Sequence, residues 1–193
     1  MRPDMPKRAR RPQKGVTAVE LAIVSTIAAT IAAAAAPDLS GFLANSQLRT
    51  ASDDLRSGLR LAQIEAIKRQ GLVELVLTDE APGRPDVRAA SNGRNWVIRA
   101  TRPDGGFELL QSSSGETRTP RVRIEADRQV FAFDAFGRLR ADSLGNAAPE
   151  FDLRIELSDR DARGRPLRVM VRPSGSSVNC DPHARGGEAF ACG

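Results

Sequence analysis

The 193-residue sequence predicts an α+β protein, a long N-terminal helix packed on an antiparallel β-sheet domain. Three observations predict it. A largely apolar run, VTAVELAIVSTIAATIAAAAA, fills residues 16–36, and 21 residues is about the length that spans a bilayer as a helix. Beyond Pro37, apolar residues recur at spacings of three and four up to Gln70. After Gly71 the period changes to two, in short runs separated by Gly, Pro and Asn.

Residues 1–15 are polar, proline-broken and basic, with Arg2, Lys7, Arg8, Arg10, Arg11 and Lys14 against Asp4. That excess of five positive charges is the whole net charge of the chain, so residues 16–193 are neutral overall. A high pI argues for an anionic partner only if the charge belongs to the folded part. Here it belongs to a segment not expected to fold. Of the 29 basic residues 26 are Arg, a bias that does not by itself mark a site.

The basic flank before the run at 16–36 predicts a membrane helix with its N-terminus in the cytoplasm. A cleaved secretory signal is the alternative, with Ala34-Ala35-Ala36 as its processing site. The helix-compatible pattern continues past that point, however, and Glu20 would be an odd residue in a discarded segment. An ionisable side chain in a membrane span is costly and marks function.

The stretch Lys14-Gly15-Val16-Thr17-Ala18-Val19-Glu20-Leu21 resembles the start of the type IV pilin and type II secretion pseudopilin superfamily. The resemblance implies cleavage between Gly15 and Val16 by a prepilin peptidase on the cytoplasmic side, then methylation of the new N-terminus. The family prefers Phe where this chain has Val16. Glu20 lies four residues beyond Val16, on nearly the same helix face. In an assembling fibre the Glu20 carboxylate of one subunit is expected to pair with the terminal amine of a neighbour. A buried charge is tolerable only when paired, so this pairing would favour docking and set the stagger between subunits. Pro37 removes a helix hydrogen bond and is expected to kink the helix rather than end it, as in pilins resembling this one.

Residues 37–70 read as an amphipathic helix, with Leu48, Ala51, Leu55, Leu59, Ala62 and Ala66 on one face and Gly71 as C-cap. Arg49, Arg56 and Arg60 fall on the polar face, either solvated or, on the lesser reading, forming a binding stripe. Asp53 and Asp54 are adjacent, so they do not face each other as a catalytic pair would. The strand candidates are LVELVLT (72–78), NWVIRAT, FELLQ, RVRIEA, QVFAFD, EFDLRIELS and PLRVMVRP, with Phe151, Leu153, Ile155 and Leu157 expected on one face. The loop 79–95 is either an interaction surface or a flexible connection.

Residues 55–70, NWVIRATRPDG (95–105), VFAFDAFGRLR (130–140) and VRPSG (171–175) are similar, in that order, to segments of the FimT/GspH group of minor pilins and pseudopilins. The resemblance implies four parts: a cleaved leader at 1–15, a transmembrane helix at 16–36, an amphipathic helix at 37–70 and a β-sheet domain at 71–193. It implies a single-pass inner-membrane protein with a periplasmic C-terminal domain, with other pilin or pseudopilin subunits, the prepilin peptidase and the membrane as partners. No cofactor and no catalytic residue are implied.

Cys180 and Cys192 are the only cysteines, and an even pair behind an export-like start reads as a disulfide pinning the tail. Such a short loop would contribute about 2–3 kcal/mol. Zinc is the alternative, with His183 between them, but zinc wants four ligands. An enzyme is not expected: there is one His, no Ser-His-Asp set and no phosphate-binding Gly loop with Lys. DNA uptake is the second functional reading. The Gly-Arg-x-Arg element of DNA-binding FimT-like pilins is replaced here by Gly175-Ser176-Ser177-Val178, but Arg165, Arg168 and Arg172 lie nearby and can contact phosphates.

Overall fold

The computed structural model describes residues 16–161, 163–187 and 190–192, without the side chains of 34–39. The leader 1–15, including Gly15, lies outside the described residues. The chain divides into two units, 1–39 and 40–193.

Helix α1 spans Ala18–Arg69, with Pro37 inside its range. In the first unit Thr17 starts it, its hydroxyl accepting the Glu20 N–H at 3.2 Å while its carbonyl accepts the Leu21 N–H at 3.1 Å. Thr-x-x-Glu is the sequence form of a capping box, and a carboxylate in the first turn also suits the helix dipole. The hydroxyls of Ser25, Thr26 and Thr30 donate to backbone carbonyls of the preceding turn, to Leu21 O (2.6 Å), Ala22 O (2.8 Å) and Ile27 O (2.8 Å). Val16, Val19, Leu21, Ile23, Val24, Ile27 and Ile31 are exposed. Among the described residues, no helix is long and apolar enough to cross a membrane.

In the second unit all six apolar residues expected on the inner face of α1 are buried. The helix lies close against the first sheet at Gly58, where a Cβ would stand 3.1 Å from Leu75 Cδ1 and from the Trp96 ring. The helix ends one residue earlier than Gly71 suggests. Gln70 takes the left-handed conformation (φ 51°), with Gln70 N–H donating to Ile67 O and Gly71 N–H to Ala66 O. This is the paired hydrogen-bond pattern of a Schellman cap, with Gln in the position glycine usually fills.

Among the described residues eight strands follow: β1 Val73–Thr78, β2 Asn95–Thr101, β3 Phe107–Ser114, β4 Val122–Ala126, β5 Val130–Phe133, β6 Leu153–Asp159, β7 Leu167–Val171 and β8 Ser177–Cys180, with a one-turn helix α2, Gly115–Arg118, after β3. They form two antiparallel four-stranded sheets, β3-β2-β1-β5 and β4-β6-β7-β8. One core joins α1 to both. Leu55 and Leu59 share it with Leu75, Trp96, Ile98 and Phe131 of the first sheet and Ile155, Leu157 and Val169 of the second.

Phe151 departs from the expected alternation: it precedes β6 and is exposed, so only Leu153, Ile155 and Leu157 follow the strand inward. The loop after β1 is also more than a connection. It folds over the outer face of the first sheet, where Val87 packs with Val76, Val97 and Val130. Beneath it lies a buried charged pair, Glu74 and Arg99, on directly opposed positions of β1 and β2.

Candidate functional site

Val16 and Glu20 are both exposed on the first unit, Glu20 in the first turn of α1 and Val16 two residues before the helix begins. The capping bond of Thr17 gives the Glu20 backbone a local role that escaped the reading of the sequence as apolar run plus charge. The signal was present as Thr17-x-x-Glu20. That bond uses the Glu20 N–H, and no described partner takes its carboxylate.

At the other end of the chain, Cys180 and Cys192 form a disulfide with Cα atoms 5.0 Å apart. The bond leaves neither thiolate free for a metal, and among the described residues no cluster of three His, Cys, Asp or Glu could hold one. Asp181 N–H donates to Phe190 O, and Asp181 bridges to Ala191, so the tail returns on itself beside β8. β8 is an edge strand, bonded only to β7. Reduction should therefore free the tail without opening the core. Limited proteolysis is expected to cut after Cys180 faster, with the melting temperature changed by only a few degrees. A collapse of the core transition on reduction would contradict this.

The three arginines considered for DNA are not equivalent. Arg165 is exposed, and its backbone N–H donates to Asn45 Oδ1 at 2.8 Å. Arg168 is half-buried and paired with Glu156 on the neighbouring strand. The Arg172 guanidinium faces Asp152 at 3.9 Å. Two of the three cations are thus opposed by carboxylates, which removes much of their value to a phosphate.

Asp54 is engaged structurally: its carboxylate accepts Ser113 Oγ–H (2.6 Å), Arg118 (2.8 Å) and Trp96 Nε1–H (3.1 Å), tying α1 to β2, β3 and α2. Asp53 accepts from Asn179 Nδ2 at 3.3 Å. Neither acid faces the other.

Asp159, at the end of β6, organises the turn that follows. Burial pushes its carboxyl pKa up. The Arg163 N–H at 2.9 Å and the Arg121 guanidinium at 3.3 Å more than offset this and hold it below the ordinary value. A lowered folded-state pKa stabilises above the unfolded value, near 4, and the contribution is lost as pH falls through the folded one. Thermal unfolding between pH 6 and pH 2.5 is expected to show this acid-side loss reduced in Asp159→Asn. An unchanged slope in that variant would contradict the assignment.

With this geometry in place, the chain was compared with known proteins. The family described as Type II transport protein GspH matches residues 51–175, about two thirds of the sequence. The chain belongs to the GspH family. The match covers the segments from residue 55 to residue 175 whose order resembled the FimT/GspH group.

In fold, this GspH-family chain is similar to the type IV minor pilin FimU of Pseudomonas aeruginosa, with TM-score 0.51, 15% identity, 71% of this chain and 90% of that one covered. It is also similar to the minor pseudopilin EpsH from the type 2 secretion system of Vibrio cholerae (TM-score 0.49, 10% identity, 72% and 99% covered) and to E. coli GspH (TM-score 0.46, 14% identity, 74% and 94% covered). No curated protein matches the chain significantly.

Proposed function

We propose that this GspH-family chain is a subunit of a type IV pilus or type II secretion fibre, anchored in the inner membrane by residues 16–36 with its β domain in the periplasm. Membership of the GspH family over residues 51–175 carries the reading. The N-terminal segment supports it. Cleavage between Gly15 and Val16 would leave an α-amino cation one turn before Glu20, at the capped start of α1. Ser25, Thr26 and Thr30 return their hydroxyl hydrogen bonds to the helix, as lipid requires of polar side chains. Glu20 is then the one charged side chain in 16–36, and a neighbouring subunit's amine is the partner that makes it tolerable. The role is structural, and the partners are other pilin-like subunits, the prepilin peptidase that would process the leader, and the membrane.

Glu20→Gln tests the charge alone, because Gln can still serve a capping box. The variant is expected to be cleaved normally and to leave the fibre fraction, by sheared-fibre immunoblot, at least tenfold depleted. Incorporation equal to wild type would refute the pairing role of Glu20.

A further inference from the structure

The tail that follows β8 lines a hollow of about 610 Å³, together with α1 and the start of β7. Its lining carries charges of both signs. Arg49 and Asp53 are four residues apart on α1, so they share a helix face. Arg165, just before β7, and Asp181, just past β8, add a second cation and a second carboxylate. Among the described residues, no hydrogen bond or ion pair takes the guanidinium of Arg49 or of Arg165; the bond Arg165 makes to Asn45 is through its backbone N–H. Asp53 Oδ1 accepts from Asn179 Nδ2 at 3.3 Å, and Asp181 Oδ1 accepts the His183 N–H at 2.8 Å. The Oδ2 of each acid has no described partner.

The rest of the lining includes Leu167, Ala184 and Phe190. Phe190 has φ 74°, a left-handed backbone that a bulky L-residue adopts only under constraint. The constraint is visible. Its carbonyl accepts the Asp181 N–H at 2.6 Å, and Cys192, two residues on, is bonded to Cys180. The aromatic side chain is thereby held out, 79% exposed, at the hollow. Residues strained in this way cluster at ligand clamps. Asn179 Oδ1, in the same lining, is buried without a donor, a cost that a bound N–H would remove.

We propose that this hollow binds a small zwitterion, a free amino acid or short peptide, with its carboxylate on Arg49 and Arg165, its ammonium on Asp53 and Asp181, and its side chain against Phe190. The mixture of charges selects the class. A phosphate or a polyanion would meet Asp53 and Asp181, and a simple cation would meet Arg49 and Arg165. A metal ion finds no cluster of three ligating side chains among the described residues. The volume is that of a small-molecule site, which spans roughly 300–1,000 Å³. Because the bridged tail forms one wall, binding depends on the disulfide. The inference stands apart from the fibre reading: occupancy neither requires assembly nor prevents it.

The test uses the full chain in detergent micelles and isothermal titration calorimetry. The probes are the standard amino acids and the dipeptide glycyl-phenylalanine, each beside its N-acetyl and C-amide forms, with inorganic phosphate as the single-sign control. At least one zwitterion is expected to bind saturably, and blocking either end to weaken it about tenfold or more, the loss of one charge-assisted hydrogen bond. Arg49→Gln/Arg165→Gln, shown by its melting curve to be folded, is expected to bind the zwitterion no better than its C-amide. Reduction of the disulfide is expected to abolish binding while the core transition remains. Four results would each overturn the inference: no probe bound, blocked forms bound as well as free ones, phosphate bound as tightly as the zwitterion, or binding unchanged after reduction. The blocked probes need no variant, so the test survives a variant that fails to fold.

Discussion

Replacing Glu74 by Ala should unfold the β domain more readily than any other single truncation of a polar side chain in this protein. Glu74 is fully buried and Arg99 is 5% exposed. The carboxylate accepts Arg99 Nε–H at 2.9 Å, Ser143 N–H at 2.7 Å and Ser143 Oγ–H at 2.9 Å. Arg99 also donates to Pro85 O and to Ser143 Oγ, and lies 3.8 Å over the Phe107 ring. One charged pair thus holds two loops, those carrying Pro85 and Ser143, against the outer face of the first sheet. Removing the carboxylate leaves a nearly buried guanidinium without its counter-charge, which costs about 3–5 kcal/mol. At roughly 2–4 °C per kcal/mol for a domain of this size, the melting temperature should fall by about 10 °C or more. Replacing both partners, Glu74→Leu with Arg99→Met, leaves no unpaired charge and should cost much less. A Glu74→Ala melting curve within about 3 °C of wild type would refute this account, because it would mean that the pair contributes under 1–2 kcal/mol.

This pair also marks the limit of what the sequence declares. Strand NWVIRAT is legible from alternation, and Arg99 then falls on the face away from Trp96 and Ile98, which on a two-layer reading is solvent. Only the covering loop makes that face interior, and a loop's path depends on contacts far apart in sequence. The same reason explains why the strands could be named from the sequence but not sorted into their two sheets. Local periodicity gives strands but not their partners, and β5 pairs with β1 across more than fifty residues. β8 escaped notice because Ser177-Val178-Asn179-Cys180 has almost no apolar signature; its place is set by pairing to β7. The helix stripe from Leu48 to Ala66 was fully legible, because a helix declares its buried face within its own sequence. Of the candidate sites, the Lys14–Leu21 motif is equally local in sequence, and its Lys14 and Gly15 lie outside the described residues.

The second large effect is expected at Gly175. It was aligned with the glycine of a DNA-binding element, but its environment is that of a tight turn packed against the turn after β5. Gly175 has φ +87°. Its N–H closes the turn onto Arg172 O at 2.8 Å. A Cβ there would lie 1.9 Å from Gly137 O and 2.6 Å from Gln63 Nε2. Gln63 Nε2 itself donates to Gly137 O at 2.9 Å, so α1, the turn after β5 and the turn between β7 and β8 meet at this point. Gly175→Ala therefore suffers twice. The left-handed backbone costs an L-residue about 1–3 kcal/mol, and the overlap with a carbonyl oxygen forces the junction apart. Gly145 separates the two effects: it has φ +86° but nothing within 4 Å of its Cβ position. Gly145→Ala should show only the backbone cost, and Gly175→Ala a clearly larger loss of melting temperature, with tryptophan emission and far-UV signal lost together. Equal losses in the two variants would mean that the junction yields freely. Gly175 would then carry no packing role, and its place in the turn would rest on backbone conformation alone.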